Sequence, residues 1–146
     1  MSVERRAYLD TSALAKWYLE ERGSNEFVAY LRTLDVAIIS SLTVVELRSL
    51  LSRRRRLGEL TTEDESVLFA AMLDDVARGL LQRYPIEDSR FDEAANLLTR
   101  YPESQLRTLD ALHLVQAAHA GASTLATADI VMANAATKMG FEVVRF

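Results

Sequence analysis

Apolar positions change period along this chain: short apolar runs alternate with stretches in which hydrophobic residues recur three and four apart. Ala7-Tyr8-Leu9 is the first run, and it ends at Asp10-Thr11-Ser12, where Ser12 is placed to cap a helix from Ala13 to about Glu21. Gly23 breaks that helix, and Phe27, Tyr30, Leu31 and Leu34 mark the next. Val36–Ser40 is a β-branched run, continuous rather than alternating, as expected of a strand covered on both faces in a parallel sheet. Thr43-Val44-Val45-Glu46 matches a capping box, and the helix it opens carries Val44, Leu47 and Leu51 on one face before ending near Gly58. Thr62 to Glu65 is a second such box, opening a helix with Leu68, Met72, Val76 and Leu80. Leu81–Ile86 reads as a short strand or an extended connection, Pro85 favouring an edge or a turn. Asp88 caps a helix through Phe91, Ala95 and Leu98, and Tyr101–Ser104 is a loop. Thr108 is an N-cap for a helix bearing Leu109, Leu112, Val115 and Ala118, with Gly121 as its C′ residue. Ser123–Ala126 is a strand, Thr127-Ala128-Asp129 opens a helix to Gly140, and Glu142–Arg145 is the last strand. The alternation predicts an α/β fold, a three-layer α/β/α sandwich around a mostly parallel central sheet. With no linker or repeat, residues 1–146 read as a single domain.

Composition narrows the chemistry. Hydrophobic residues make up 49% and charged residues 26%, the balance of an ordinary globular protein. No apolar run approaches the ~20 residues of a membrane span, and the N-terminus opens into a short strand rather than a signal peptide, so a cytoplasmic protein is the default. There are no cysteines, so any metal must be held by oxygen or histidine. A net charge of −4 argues weakly against broad nucleic-acid affinity. Of 17 basic residues all but Lys16 and Lys138 are arginine, which favours bidentate pairing with phosphate or carboxylate. The run Arg53–Arg56 suits a solvated helix C-terminus and an RNA-phosphate contact equally well.

In folds of this class, sites lie beyond the carboxyl ends of the strands. Asp10 ends the first strand, Glu46 follows the second, Asp129 follows the Ser123–Ala126 strand, and Asp110 starts a helix that right-handed crossovers can bring to the same edge. Singly, each has a structural explanation as turn former, capping partner or helix N-terminal charge. Together they make a cluster of carboxylates whose mutual repulsion calls for a cation. A hard divalent ion, Mg²⁺ or Mn²⁺, takes oxygen ligands of this kind and supports phosphodiester hydrolysis by water. No serine or cysteine nucleophile with a neighbouring base is evident. A phosphoacceptor domain needs a second acid near Asp10, and an Asp-x-Asp phosphatase needs one at position 12, where Ser12 stands. The rival that remains is a non-catalytic RNA-binding or protein-interaction module. His113 packs at the helix surface more readily than it ligates, and His119 suits the helix C-terminus. Lys16 and Arg107 are open to either a phosphate contact or a solvated role, and Trp17 and Tyr18 fit core or dimer packing better than base stacking.

These residues carry a family resemblance. Tyr8-Leu9-Asp10-Thr11-Ser12, Glu46 after Ser41-Leu42-Thr43, Leu106-Arg107-Thr108-Leu109-Asp110-Ala111-Leu112-His113, Thr127-Ala128-Asp129 and the closing Gly140-Phe141-Glu142-Val143 resemble a PIN-domain ribonuclease, in particular the VapC-type toxins of toxin–antitoxin pairs. The likeness spans essentially the whole chain, and the motif around Asp110 is its most specific part. It implies that Asp10, Glu46, Asp110 and Asp129 form an acidic metal site for Mg²⁺ or Mn²⁺. Ser12 and Thr127 match hydroxyl positions beside it, able to hydrogen-bond a carboxylate or a water on the ion. It further implies a homodimer, RNA as substrate, and inhibition by a small antitoxin.

Overall fold

The computed structural model describes residues 2–146. Five short strands form one sheet: β1 (Arg6–Leu9), β2 (Val36–Ser40), β3 (Leu81–Tyr84), β4 (Thr124–Thr127) and β5 (Glu142–Arg145). Between them run α1 (Thr11–Tyr18), α2 (Ser24–Leu31), α3 (Ser41–Arg56), α4 (Thr62–Ala77), α5 (Ser89–Arg100), α6 (Thr108–His119) and α7 (Ile130–Lys138), with a single 3₁₀ turn at Pro102–Ser104. The order is β3-β2-β1-β4-β5, and every pairing is parallel. In register, Ala7 lies beside Ala37 on one side and Thr124 on the other. The three-layer sandwich predicted from the alternating pattern is the observed architecture, its sheet wholly rather than mostly parallel.

Successive residues of a strand point to opposite faces, and the two cores divide accordingly. Ala7, Leu9, Ala37, Ile39 and Leu81 pack with α1 to α4 (Leu14, Phe27, Leu47 and Met72 among their partners). Tyr8, Ile38 and Leu125 face the other way, onto α5, α6 and α7. Chain direction explains the split. The chain steps from β1 through β2 to β3 in one direction, then crosses to β4 and β5 in the other, and right-handed crossovers reverse face when direction reverses. The reversal lies between β1 and β4, the switch point where an α/β sheet opens a crevice.

Several local signals land one or a few residues from where the pattern put them. Strand β3 resolves the Leu81–Ile86 ambiguity as a four-residue edge strand that stops before Pro85. The box expected at Thr62–Glu65 forms at Thr61–Asp64, each side chain bonding the other's backbone N–H at 3.0 Å. Gly121 does close α6: it takes φ +72°, its N–H donates to Ala118, and that of Ala122 donates to Ala117, the paired bonds of a Schellman end. Helix α6 is the central one, buried at every residue from Ala111 to Ala117. No helix among the described residues is long and apolar enough to cross a membrane.

Candidate active site

Asp10 sits where β1 stops, its backbone N–H continuing the ladder to the carbonyl of Ala126 on β4. Its side chain, not that of Ser12, caps α1: Oδ1 accepts the N–H of Ala13 at 2.9 Å. The same Oδ1 accepts the Ser12 hydroxyl at 2.7 Å, and Oδ2 accepts the Thr127 hydroxyl at 2.5 Å. Ser12 also accepts the N–H of Ala128, and Thr127 that of Asp129, so the two hydroxyls tie the ends of β1 and β4 together around this carboxylate. At 3% exposure Asp10 is nearly sealed from water. Burial pushes its carboxyl above the ordinary range; the Thr127 hydroxyl, the neighbouring His113, the Ala13 amide and the Ser12 hydroxyl pull the other way without prevailing.

Glu46 does not act as a capping partner. Helix α3 begins three residues earlier than the Thr43–Glu46 pattern implies, with Ser40 as N-cap accepting from Leu42. Thr43 is fully buried, and Glu46 is displaced into the second turn. There its Oε1 accepts the Thr11 hydroxyl at 2.9 Å and meets Nε2 of His113 at 2.5 Å. The expected Thr108 cap is likewise shifted: Thr108 is the first helical residue of α6, and Asp110 Oδ2 accepts the backbone N–H of Arg107 at 3.0 Å. Asp129 is the N-cap of α7, its Oδ1 accepting from Val131 at 2.8 Å.

The four acids, from four separate segments, line one cleft of about 400 Å³. Arg107 and Met132 stand on its walls beside them. Among the described residues, no three histidine, aspartate or glutamate side chains stand close enough together to make a finished metal cage. Each acid is instead held by protein donors, with oxygen capacity left over: Asp110 and Asp129 each use one oxygen in a single bond to backbone. The donor set fits a hard divalent cation, being all carboxylate oxygen with hydroxyls alongside, and the crowding of negative charge is what such an ion would relieve.

Other candidates sort differently. Lys16, considered for phosphate contact, is buried away from the cleft, its ammonium donating to the carbonyl of Arg22 at 2.5 Å and to Glu21 at 3.3 Å. Trp17 and Tyr18 both donate to Asp75, pinning α1 to α4. In the basic run, Arg54 pairs with Glu21 and Glu59, and Arg55 with Glu65. His119 bonds Glu93 of α5. His113 is the residue the pattern undervalued: it is 3% exposed, lines the cleft and bridges Glu46 to Tyr8.

Comparison with known proteins gives three results. No curated protein sequence matches the chain. Solved structures do: the VapC20 toxin of Mycobacterium tuberculosis, described as cleaving the sarcin–ricin loop, superposes with a TM-score of 0.75 at 18% identity, covering 96% of this chain and 99% of that one. VapBC2 of Rickettsia felis, bound to a DNA fragment from its promoter, gives 0.67 at 16% identity over 97% and 98% of the two chains. FitAcB of Neisseria gonorrhoeae gives 0.67 at 17% identity over 95% and 96%. At these identities the likeness is one of fold. The family profile of the PIN domain matches residues 7–138, nearly the whole described chain. Fold, cleft and profile agree, and the chain belongs to the PIN-domain family.

Proposed function

We propose that this protein is a divalent-metal-dependent endoribonuclease acting as the toxin of a toxin–antitoxin pair. The observation that supports it most is the gathering of Asp10, Glu46, Asp110 and Asp129 into one cleft at the sheet's switch point. Those four carboxylates would hold Mg²⁺ or Mn²⁺. When bound, such an ion polarises a phosphoryl oxygen and lowers the pKa of an attacking water. The protein's own contribution is placement. Ser12 and Thr127 fix the Asp10 carboxylate between strand ends. Thr11 and His113 fix Glu46, and two helix N-termini present Asp110 and Asp129. Arg107, exposed on the cleft wall, is positioned to meet an RNA phosphate.

The partner belongs to the same reading. The VapBC2 relative is a complex crystallised on promoter DNA, and FitAcB is a further structural relative. A cleft lined by four acids offers charge-assisted bidentate bonds to an arginine-bearing peptide. A small antitoxin could thus occupy the site, and the toxin itself would be a homodimer in the cell's interior.

The test is metal dependence with purified protein and RNA. Cleavage is expected with Mn²⁺ or Mg²⁺, lost with chelator and restored by excess ion. Binding of RNA without any cleavage, unaffected by chelator, would instead favour a silent PIN-like binding module. Saturating Mn²⁺ should also stabilise the fold: at one hundred times its dissociation constant a ligand adds about 2.7 kcal/mol, read as a rise in unfolding midpoint over the chelated protein. Arg107→Ala should leave the fold intact and weaken RNA binding, lowering the slope of log affinity against log salt by about 0.7, one phosphate contact on single-stranded RNA. An unchanged slope would remove Arg107 from the RNA interface.

A further inference from the structure

We propose that His113 is a positioning residue: locked in place by Tyr8, it holds one oxygen of Glu46 so that the other is presented to the cleft. The proposal rests on the cleft being a divalent-cation site, and adds how one of its carboxylates is aimed.

The geometry fixes the direction of the bond to Glu46. A carboxylate accepts only, so the bond between Nε2 and Glu46 Oε1 needs the proton on Nε2. The group 2.6 Å from Nδ1 is the hydroxyl of Tyr8, which can donate to a bare Nδ1 or accept from a protonated one. In either protonation state Tyr8 holds Nδ1 and His113 donates to Glu46 through Nε2. Tyr8 is fully buried on β1, two residues before Asp10, with its ring edge-on to the imidazole at 5.8 Å between centroids. His113 is thereby anchored to the middle strand of the sheet.

Glu46 Oε1 receives a second bond, from the Thr11 hydroxyl at 2.9 Å. Two donors use both lone pairs of that oxygen, whereas no hydrogen bond among the described residues reaches Oε2. A glutamate has three rotatable side-chain bonds, and an unrestrained one loses that freedom when it binds an ion. Here the two donors restrict it beforehand and leave Oε2 as the free ligand atom. The same imidazole spans α6, which carries Asp110 one turn earlier, and α3, which carries Glu46. It sets the spacing of two acids that are 64 residues apart in the chain.

The experiment is Mn²⁺ binding to the full chain by calorimetry, without RNA, for wild type, Glu46→Gln, His113→Leu, His113→Gln, Tyr8→Phe and the double variant His113→Leu/Glu46→Gln, each checked by circular dichroism. Loss of an orienting partner of a metal ligand is worth about 10–100-fold in affinity, which is the loss expected for His113→Leu. His113→Gln, which retains an N–H donor, should recover most of it, and Tyr8→Phe should fall between. In the double variant the His113 change should cost nothing beyond Glu46→Gln, because the two act as one unit. Wild-type affinity in a folded His113→Leu, equal losses in Gln and Leu variants, or additive losses in the double variant would overturn the role of His113 while leaving the cation site standing. Should His113→Leu fail to fold, Tyr8→Phe and His113→Gln decide by the same criteria. Wild-type protein that binds no Mn²⁺ would overturn both readings.

Discussion

Asp10→Asn should lose at least about a hundredfold of metal-dependent RNA cleavage and, without metal, should be more stable than the wild type at neutral pH. The first loss is the scale of removing one preorganised electrostatic group from an active site. The second follows from burial. Asparagine keeps the N-cap, since its side-chain oxygen serves Ala13 as well as aspartate does, and its amide can donate to Thr127 where the carboxylate now accepts. What it removes is a buried negative charge. Because burial raises the carboxyl of Asp10 in the folded state, the folded protein holds that proton more tightly than the unfolded chain. Below the ordinary carboxylate pKa of about 4 both states are protonated and the group costs nothing. As pH rises from there to the raised folded value, the unfolded chain releases its proton first and wild-type stability falls; above that value the full cost persists. Urea unfolding in chelator across this range should show the decline in wild type and its absence in Asp10→Asn. Parallel curves for the two proteins would mean that the charge of Asp10 is already balanced without an ion.

Leu114→Ala should cost about 2–5 kcal/mol, the range for emptying a leucine-sized space in a packed core. Leu114 is completely buried, on the helix that also carries Asp110 and His113, and it packs in the cluster shared with Tyr8 and Leu125. For a chain of this length that cost lowers the thermal midpoint on the order of 10 °C. Leu109→Ala, five residues earlier on the same helix, is the control. Leu109 is 43% exposed at the cleft wall, and its truncation should change stability by no more than about 0.5 kcal/mol. Comparable losses at both positions would contradict the packing of α6 described here.

That contrast shows what the sequence could and could not carry. Periodicity placed Leu109 and Ala118 on the same apolar stripe as Leu112, but α6 is enclosed only from Ala111 to Ala117; its first turn opens on the cleft and its last residues are exposed. The strands were legible because parallel strands covered on both faces leave continuous apolar runs, as at Val36–Ser40. Strand-end acids were legible because architecture alone says where a site belongs, and Asp10, Glu46, Asp110 and Asp129 do share one cleft. Caps were read less well. Thr43 and Glu46 satisfy a local capping pattern, yet Ser40 caps the helix and tertiary partners claim both residues. Ser12 looked like a cap for the same reason, whereas Asp10 takes that role and Ser12 bridges to Ala128, which is 116 residues away. His113 had no local signature, since its partners lie 67 and 105 residues off. One sign was available: Ala111–Ala117 is apolar except for His113 and Gln116, and polar residues inside such a run must find buried partners. Gln116 does so as well, donating to Ser40 and to the carbonyls of Tyr84 and Pro85.

The most direct test is a crystal grown with Mn²⁺ and measured for anomalous scattering. An ion, or a pair, should lie in the cleft, bonded to oxygens of at least three of the four acids, with Glu46 turning Oε2 toward it. Strong manganese peaks confined to carboxylates elsewhere on the surface, with none among Asp10, Glu46, Asp110 and Asp129, would contradict the account at its centre.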